Sequence, residues 1–221
     1  MTRDGAILRD DITGVILCGG EARRMGGIEK PLRMLDDRSL VEHVRIGLAP
    51  QVSRIVISAN RDRESYARWG DSIVADETPG CGPLGGLSSA LSHVTSHEPT
   101  PFVFCCPGDA PFLDRLLVAR LAETLAYALA ETDADICVPH DGDRVQHLFA
   151  LLRITEREPL QAYLDAGGRS VHGWLADRRV VTVDATDLRR SFLNINTEQD
   201  LLLVSGRSDR PKSTPHVSER S

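Results

Sequence analysis

The stretch "ITGVILCGGEARRMGGIEK", residues 12–30, decides how the chain is read. An apolar, β-branched run, Ile12–Leu17, stops abruptly at Cys18 and the pair Gly19 and Gly20. Two adjacent arginines, Arg23 and Arg24, a second glycine pair and Lys30 follow. A short continuous apolar run closed by glycines reads as a strand covered on both faces. Glycines at its end let the chain turn sharply and let backbone N–H groups face an anion. The string is neither G-x-x-x-x-G-K-[ST] nor G-x-G-x-x-G, so it is a third kind of phosphate loop. A bare glycine pair with arginines would be an ordinary exposed turn. The full string, after a strand and ending in Lys-Pro, is more demanding.

Further runs of the same kind follow at Arg54–Ser58, Ser72–Ala75, Phe102–Cys106, Asp135–Val138, Leu148–Arg153 and Val180–Val183. Helical patterns lie between them. Ser39 can cap a helix over Leu40–Leu48, and Gly86–Val94 starts after a glycine turn. Asp114–Ala130 carries Leu116, Leu117, Leu121, Leu125 and Leu129 near one stripe. Glu156–Ala166, Ser170–Ala176 and Thr197–Val204 complete the set. Strand alternating with helix predicts an α/β three-layer sandwich: a mostly parallel twisted sheet with helices on both faces. Ligands of such sheets bind beyond the carboxyl ends of the strands. The glycine loop, the Asn60 turn, the Asp76 loop and the Gly108-Asp109 turn each follow an early strand, so they are expected at one edge.

The length of 221 residues suits one domain, expected over residues 11–205. Residues 1–10 read as a frayed start, and 206–221 have no apolar period and read as a disordered tail. A net charge of −6 argues against a general nucleic-acid binder. No run approaches the roughly 20 apolar residues of a membrane span, and no export signal is read. The five cysteines, Cys18, Cys81, Cys105, Cys106 and Cys137, show no C-x-x-C spacing; free buried thiols in the cytoplasm are expected. Of 26 lysines and arginines only Lys30 and Lys212 are lysines, and Lys212 lies in the tail. A lone lysine beside a glycine loop suits a compact point charge on phosphate.

The strings "ITGVILCGGEARRMGGIEKPL", "VISANR", "DETPGCGPLGGL", "FVFCCPGDAPFL", "HDGDRVQHLFALL" and "FLNINTEQDL" run from Ile12 to Leu201. Through them the chain resembles the bacterial molybdenum cofactor guanylyltransferases of the nucleotidyltransferase superfamily. That resemblance implies transfer of GMP from GTP to the terminal phosphate of molybdenum-bound molybdopterin, with release of pyrophosphate. It implies a nucleotide-binding half over about 11–112 and an acceptor-binding half over about 113–205. Molybdoenzymes or their chaperones are implied recipients of the product.

Several residues carry that reading. Attack at an α-phosphate needs alignment and charge neutralisation more than a covalent nucleophile. Asp109, at the end of a buried strand and turn, is the natural ligand of Mg²⁺. An Asx turn or helix cap is the plain alternative for it. Lys30 is expected on the β- and γ-phosphates, with Arg24 assisting. The resemblance implies nucleotide contacts for Leu17, Cys18, Gly19, Gly20, Asn60, Asp76, Gly82, Pro83 and Leu84, and acceptor contacts for Asn194, Asn196 and His147. Cys18 stands where alanine is usual, which raises oxidation as a possibility. Arg153 and Arg169 are open as partners of the pterin phosphate. Competing readings stay open: a CTP-dependent cytidylyltransferase of the same cofactor, a sugar-phosphate nucleotidyltransferase, whose chains share the loop but usually carry a larger acceptor portion, and a GTP-binding escort without chemistry.

Overall fold

A computed structural model describes residues 5–19, 29–78, 80–97 and 99–205. Gly20, Arg23 and Arg24 lie outside the described residues, as does the tail at 206–221. The elements are β1 (Ile12–Leu17), β2 (Met34–Leu35), β3 (Arg38–Ser39), α1 (Leu40–Leu48), β4 (Arg54–Ser58), α2 (Arg63–Tyr66), β5 (Ser72–Val74) and α3 (Gly82–His97). They continue with β6 (Phe102–Pro107), α4 (Leu117–Glu131), β7 (Ile136–His140), β8 (Ala150–Arg153), α5 (Arg157–Asp165), α6 (Val171–Ala176), β9 (Val180–Asp184) and α7 (Glu198–Ser205).

Among the described residues seven strands form one sheet in the order β5-β4-β1-β6-β8-β7-β9, and β2 and β3 form a small separate ribbon. β1 pairs in parallel with β4 and β6, β4 with β5, and β7 with β9. Only β8 runs against its neighbours β6 and β7. The mostly parallel sheet predicted from sequence is therefore the one observed.

Strand periodicity distributes the side chains to two cores. Ile12, Ile16, Ile55, Ile57, Phe102, Phe104 and Cys106 pack with Val41, Val44 and Leu48 of α1 and Leu117, Leu121 and Leu125 of α4. Val15, Leu17, Val56, Val103 and Cys105 face the other way, onto Leu84, Leu87 and Leu91 of α3, Leu160 and Leu164 of α5 and Trp174 of α6. Every residue of β1 and β6 is buried, as their near-continuous apolar runs require. Helix α1 lies close on the sheet: a Cβ on Gly14 would come within 2.8 Å of Leu48.

Some boundaries differ from the sequence reading. Helix α3 begins at Gly82, four residues before the expected start. "GPLGG" reads as a turn, yet proline is tolerated in a first helical turn. Gly85 and Gly86 have no room for a Cβ, which would meet Cys81 and Ser58 respectively. Helix α4 begins at Leu117 rather than Asp114. Asp114 instead turns back to accept from Leu116 N at 2.9 Å, and Gln51 Oε1 accepts from Val118 N at 2.9 Å. The capping is thus supplied from 67 residues away, which no local pattern announces. Ser39 does precede α1, but its side chain makes no capping bond. Residues 9–11, expected frayed, form a 3₁₀ turn in which Asp11 accepts from Leu8 N at 2.9 Å.

Candidate active site

The carboxyl ends of β1, β4, β5, β6, β7 and β9 share one sheet edge, because those strands are mutually parallel. Past β1, Cys18 N donates to Ser58 O at 2.8 Å, and past β6, Gly108 N donates to Leu17 O at 2.9 Å. These two bonds carry the pairing one residue beyond the strands and hold Cys18, Gly19 and Asp109 side by side. A cavity of about 260 Å³ opens there, and its walls include Leu17, Cys18, Gly19, Lys30, Pro83, Asp109 and Asn194.

Lys30 Nζ is the polar centre of this cavity. It donates to Asp109 Oδ2 at 2.8 Å and to Asn196 Oδ1 at 2.6 Å. Both charged side chains are largely covered, 25% and 16% exposed, so their interaction is screened less than a surface pair. Asn196 is placed from two directions. Ile195 N donates to Asp109 O at 2.9 Å, tying the late segment to the β6 turn. Asp200 Oδ2 accepts from Asn196 N and Thr197 N at 2.9 and 2.8 Å, and Asp200 N donates to Thr197 Oγ1 at 3.0 Å. The latter exchange is a capping box at the start of α7. The N–H donors hold the Asp200 carboxyl below its ordinary range.

Asn60 and Asp76 meet behind the glycines. Asn60 Nδ2 donates to Asp76 Oδ2 at 2.9 Å, Asp76 N donates to Asn60 Oδ1 at 2.8 Å, and Ser58 Oγ donates to Asp76 Oδ1 at 3.2 Å. A Cβ at position 19 would stand 3.3 Å from Asn60 Nδ2. Gly19 therefore lets β1 approach this pair closely. Gly108 does the same for Cys18, whose Sγ would lie 2.5 Å from an added Cβ. Burial pushes the Cys18 thiol well above its ordinary value, with the neighbouring Cys106 thiol and the carboxylates of Asp109 and Glu29 adding to the rise. A thiol so protonated is a poor nucleophile.

The remaining residues read from sequence fall in different places. Pro83 lines the cavity; Leu84 is buried in the α3-side core; Gly82 has φ +58°, which favours glycine. Leu148 is in the cavity wall, whereas His147 packs its ring edge-on against His172, with centroids 5.5 Å apart. Burial, then the neighbouring His172, lowers the His147 pKa. Arg153 is removed from the acceptor side: it pairs with Phe102 at the start of β6, the far edge of the sheet, and binds Asp135 at 3.3 Å. Arg169 is held by Leu164 O at 2.8 Å and Gly168 O at 2.6 Å, after α5. Sequence reasoning missed Glu29, Arg61 and Pro107, all in the cavity wall. Each is the immediate neighbour of a residue it did select or of its turn.

A second hollow, of about 850 Å³, has Phe112, Arg144, Gln146, Arg189, Arg190 and Leu193 among its walls. Leu193 and Asn194 are consecutive and line one hollow each, and Phe112 follows Asp109 by three residues. The Arg190 guanidinium lies over the Phe112 ring, 4.3 Å from its centroid.

An α/β sheet with a lysine, a carboxylate and close-packed glycines beyond the ends of its strands defines a nucleotide-binding enzyme of the nucleotidyltransferase class. The chain belongs to the MobA-like NTP transferase family, whose domain model matches residues 14–180. It is 38% identical over 189 residues to a molybdenum cofactor guanylyltransferase of Shewanella sp. strain MR-4, covering 85% of this chain and 92% of that one. The enzyme of the same name from Cupriavidus taiwanensis is 38% identical over 197 residues, covering 88% and 96%. The crystal structure of molybdopterin-guanine dinucleotide biosynthesis protein A from Archaeoglobus fulgidus superposes with a TM-score of 0.69 at 24% identity, over 89% of this chain and 98% of that one.

Proposed function

We propose that this protein transfers GMP from GTP to the terminal phosphate of molybdenum-bound molybdopterin. An oxygen of the acceptor phosphate forms the new bond to the α-phosphorus of GTP. The bond from that phosphorus to the bridging oxygen breaks, and pyrophosphate leaves with the electron pair. The attacking phosphate is already ionised, so no side chain is needed as a general base. This agrees with the position of His147, outside the wall that holds Lys30 and Asp109.

The observation that carries the reading is the Lys30–Asp109 contact at 2.8 Å beside the turn after β1. Lys30 supplies a point charge for the β- and γ-phosphates and the departing pyrophosphate. Main-chain groups of Leu17, Cys18 and Gly19 line the space for the nucleotide, with Pro83 opposite. Asn60 and Asp76 support that wall. Among the described residues no group of three or more His, Cys, Asp or Glu side chains is arranged to hold a metal. A single carboxylate suits Mg²⁺, which keeps several waters and takes its other ligands from substrate phosphates. Asp109 would hold it, and Mg²⁺ would neutralise charge developing on the phosphoryl oxygens. The acceptor is assigned to the second hollow, where Arg144, Arg189 and Arg190, the last stacked on Phe112, offer forks for a phosphate beside Asp141 and Asp143. Asn194, in the wall of the first hollow next to Leu193 of the second, and Asn196, bound to Lys30, would meet the acceptor from the nucleotide side.

The test is pyrophosphate release by the purified chain with molybdenum-molybdopterin, Mg²⁺ and each of the four nucleoside triphosphates. GTP alone is expected to support turnover, and Asp109→Ala to reduce it by about a thousandfold or more while the far-ultraviolet circular dichroism is unchanged. Turnover with CTP instead selects the cytidylyltransferase reading. Tight GTP binding with no pyrophosphate selects the escort.

A further inference from the structure

The residue before Lys30 sits awkwardly for a phosphate site. Glu29 lines the same cavity as Lys30 and Asp109. A second carboxylate there opposes an incoming triphosphate, and it is the chain neighbour of the one lysine among the described residues. An untethered Glu29 would compete with phosphate for that ammonium. The structure shows a different pairing. Lys30 donates to Asp109 and Asn196, while Glu29 Oε2 accepts from the Tyr66 hydroxyl at 2.9 Å.

Tyr66 is built to hold that bond. It ends α2, is fully buried in the core shared with α1, and packs edge-on against Trp69 with centroids 6.3 Å apart. Burial raises its pKa far above the ordinary phenolic value, so the hydroxyl remains a donor at all working pH.

We propose that Tyr66 is a positioning residue that draws the Glu29 carboxylate back from the phosphate cavity, so that the Lys30 ammonium serves Asp109 and the nucleotide instead of its own chain neighbour. The proposal rests on the nucleotide reading given above and deepens it: it names the group that sets the charge of the phosphate site. It predicts a particular coupling between Tyr66 and Glu29. Removing the hydroxyl harms binding because it frees a charge, so removing that charge repairs the harm.

The experiment is calorimetric titration of GTP with Mg²⁺ into the full chain. Failure of the unaltered chain to bind GTP overturns the function proposed above, whatever the variants do. With binding established, Tyr66→Phe keeps the buried ring and is expected to weaken GTP about tenfold, the scale of one hydrogen bond to a charged group. Tyr66→Phe with Glu29→Gln is expected to return to within about twofold of the unaltered chain. A Tyr66→Phe protein that binds as before overturns the proposal. So does a double variant no better than Tyr66→Phe, since a purely structural tyrosine would not be rescued. Glu29→Gln alone retains Tyr66 and tests the idea even if Tyr66→Phe does not fold. Binding equal or tighter is expected, and a tenfold loss would mean that the carboxylate itself serves the nucleotide.

Discussion

Lys30 contacts Asp109 and Asn196, which are 79 and 166 residues away along the chain, and these two bonds draw three segments into one site. The cysteines show the opposite behaviour at the same scale. All five are free and buried. Burial raises the Cys105 thiol to about 11 and Cys137 to about 12, and pushes Cys18 and Cys106 higher than normal as well. These groups keep their protons in the folded protein where the unfolded chain would lose them. Their folded-state values lie above the unfolded ones, so their contribution is complete below about pH 8.5 and falls as pH rises toward 11. Denaturant titrations at pH 7.5 and 9.5 should therefore show lower stability at 9.5. Cys105→Ala should remove about 1 kcal/mol of the stability lost between those two pH values. A native chain should also react slowly with thiol reagents at pH 8.

At the scale of elements, the start of α7 places the active-site asparagine. Thr197 and Asp200 close the capping box, and Asp200 also accepts from Asn196 N. The helix has no fully buried residue, and it rests on the core through Leu201 and Val204, which pack against Leu35, Leu40 and Ile195. Arg33, held by Glu198 Oε1 at 2.7 Å, links its first turn to the segment just after Lys30. Thr197→Ala should cost about 1 kcal/mol in a denaturant titration. Asp200→Ala should lower kcat/KM for GTP severalfold, because Asn196 loses the bond that orients its backbone toward Lys30. Since the Asp200 carboxyl is held below its ordinary range, its support is present above about pH 4 and lost as pH falls through its folded-state value. Unchanged kcat/KM in Asp200→Ala would show that Asp109 and Ile195 position Asn196 unaided.

Across the molecule the parallel sheet puts two hollows on one edge and leaves the opposite edge to charge pairing. At that far edge Asp135 binds Arg153 and Arg179, the latter at 2.6 Å, which closes the starts of β7 and β9. Arginines are therefore divided between structural pairs there and the walls of the second hollow, the acceptor site proposed above. Arg189→Ala with Arg190→Ala should raise the KM for molybdenum-molybdopterin about tenfold, the scale of a lost charge-assisted contact, with GTP affinity little altered. Steady-state kinetics with each substrate varied in turn separates the two effects. An equal change in both would merge the hollows into one nucleotide site.

Much of this was legible beforehand in local pattern. The limits of β1, α1 and β4 coincide with apolar runs whose period and flanking residues depend on neighbours a few positions away. The phosphate-loop composition and the carboxylate after β6 were equally local. Long-range pairing was not legible: Gln51 capping α4, Asp135 taking Arg153 away from the acceptor side, and Tyr66 reaching Glu29. In those cases residue type is consistent with several partners, and only packing in three dimensions selects one. The sequence by itself determined a mostly parallel α/β sheet whose first strand leads to a glycine, because strand burial and glycine geometry are properties of short segments. The tertiary structure alone decided which charges meet, because a side chain's partner is set by which strand ends the sheet brings to the same edge.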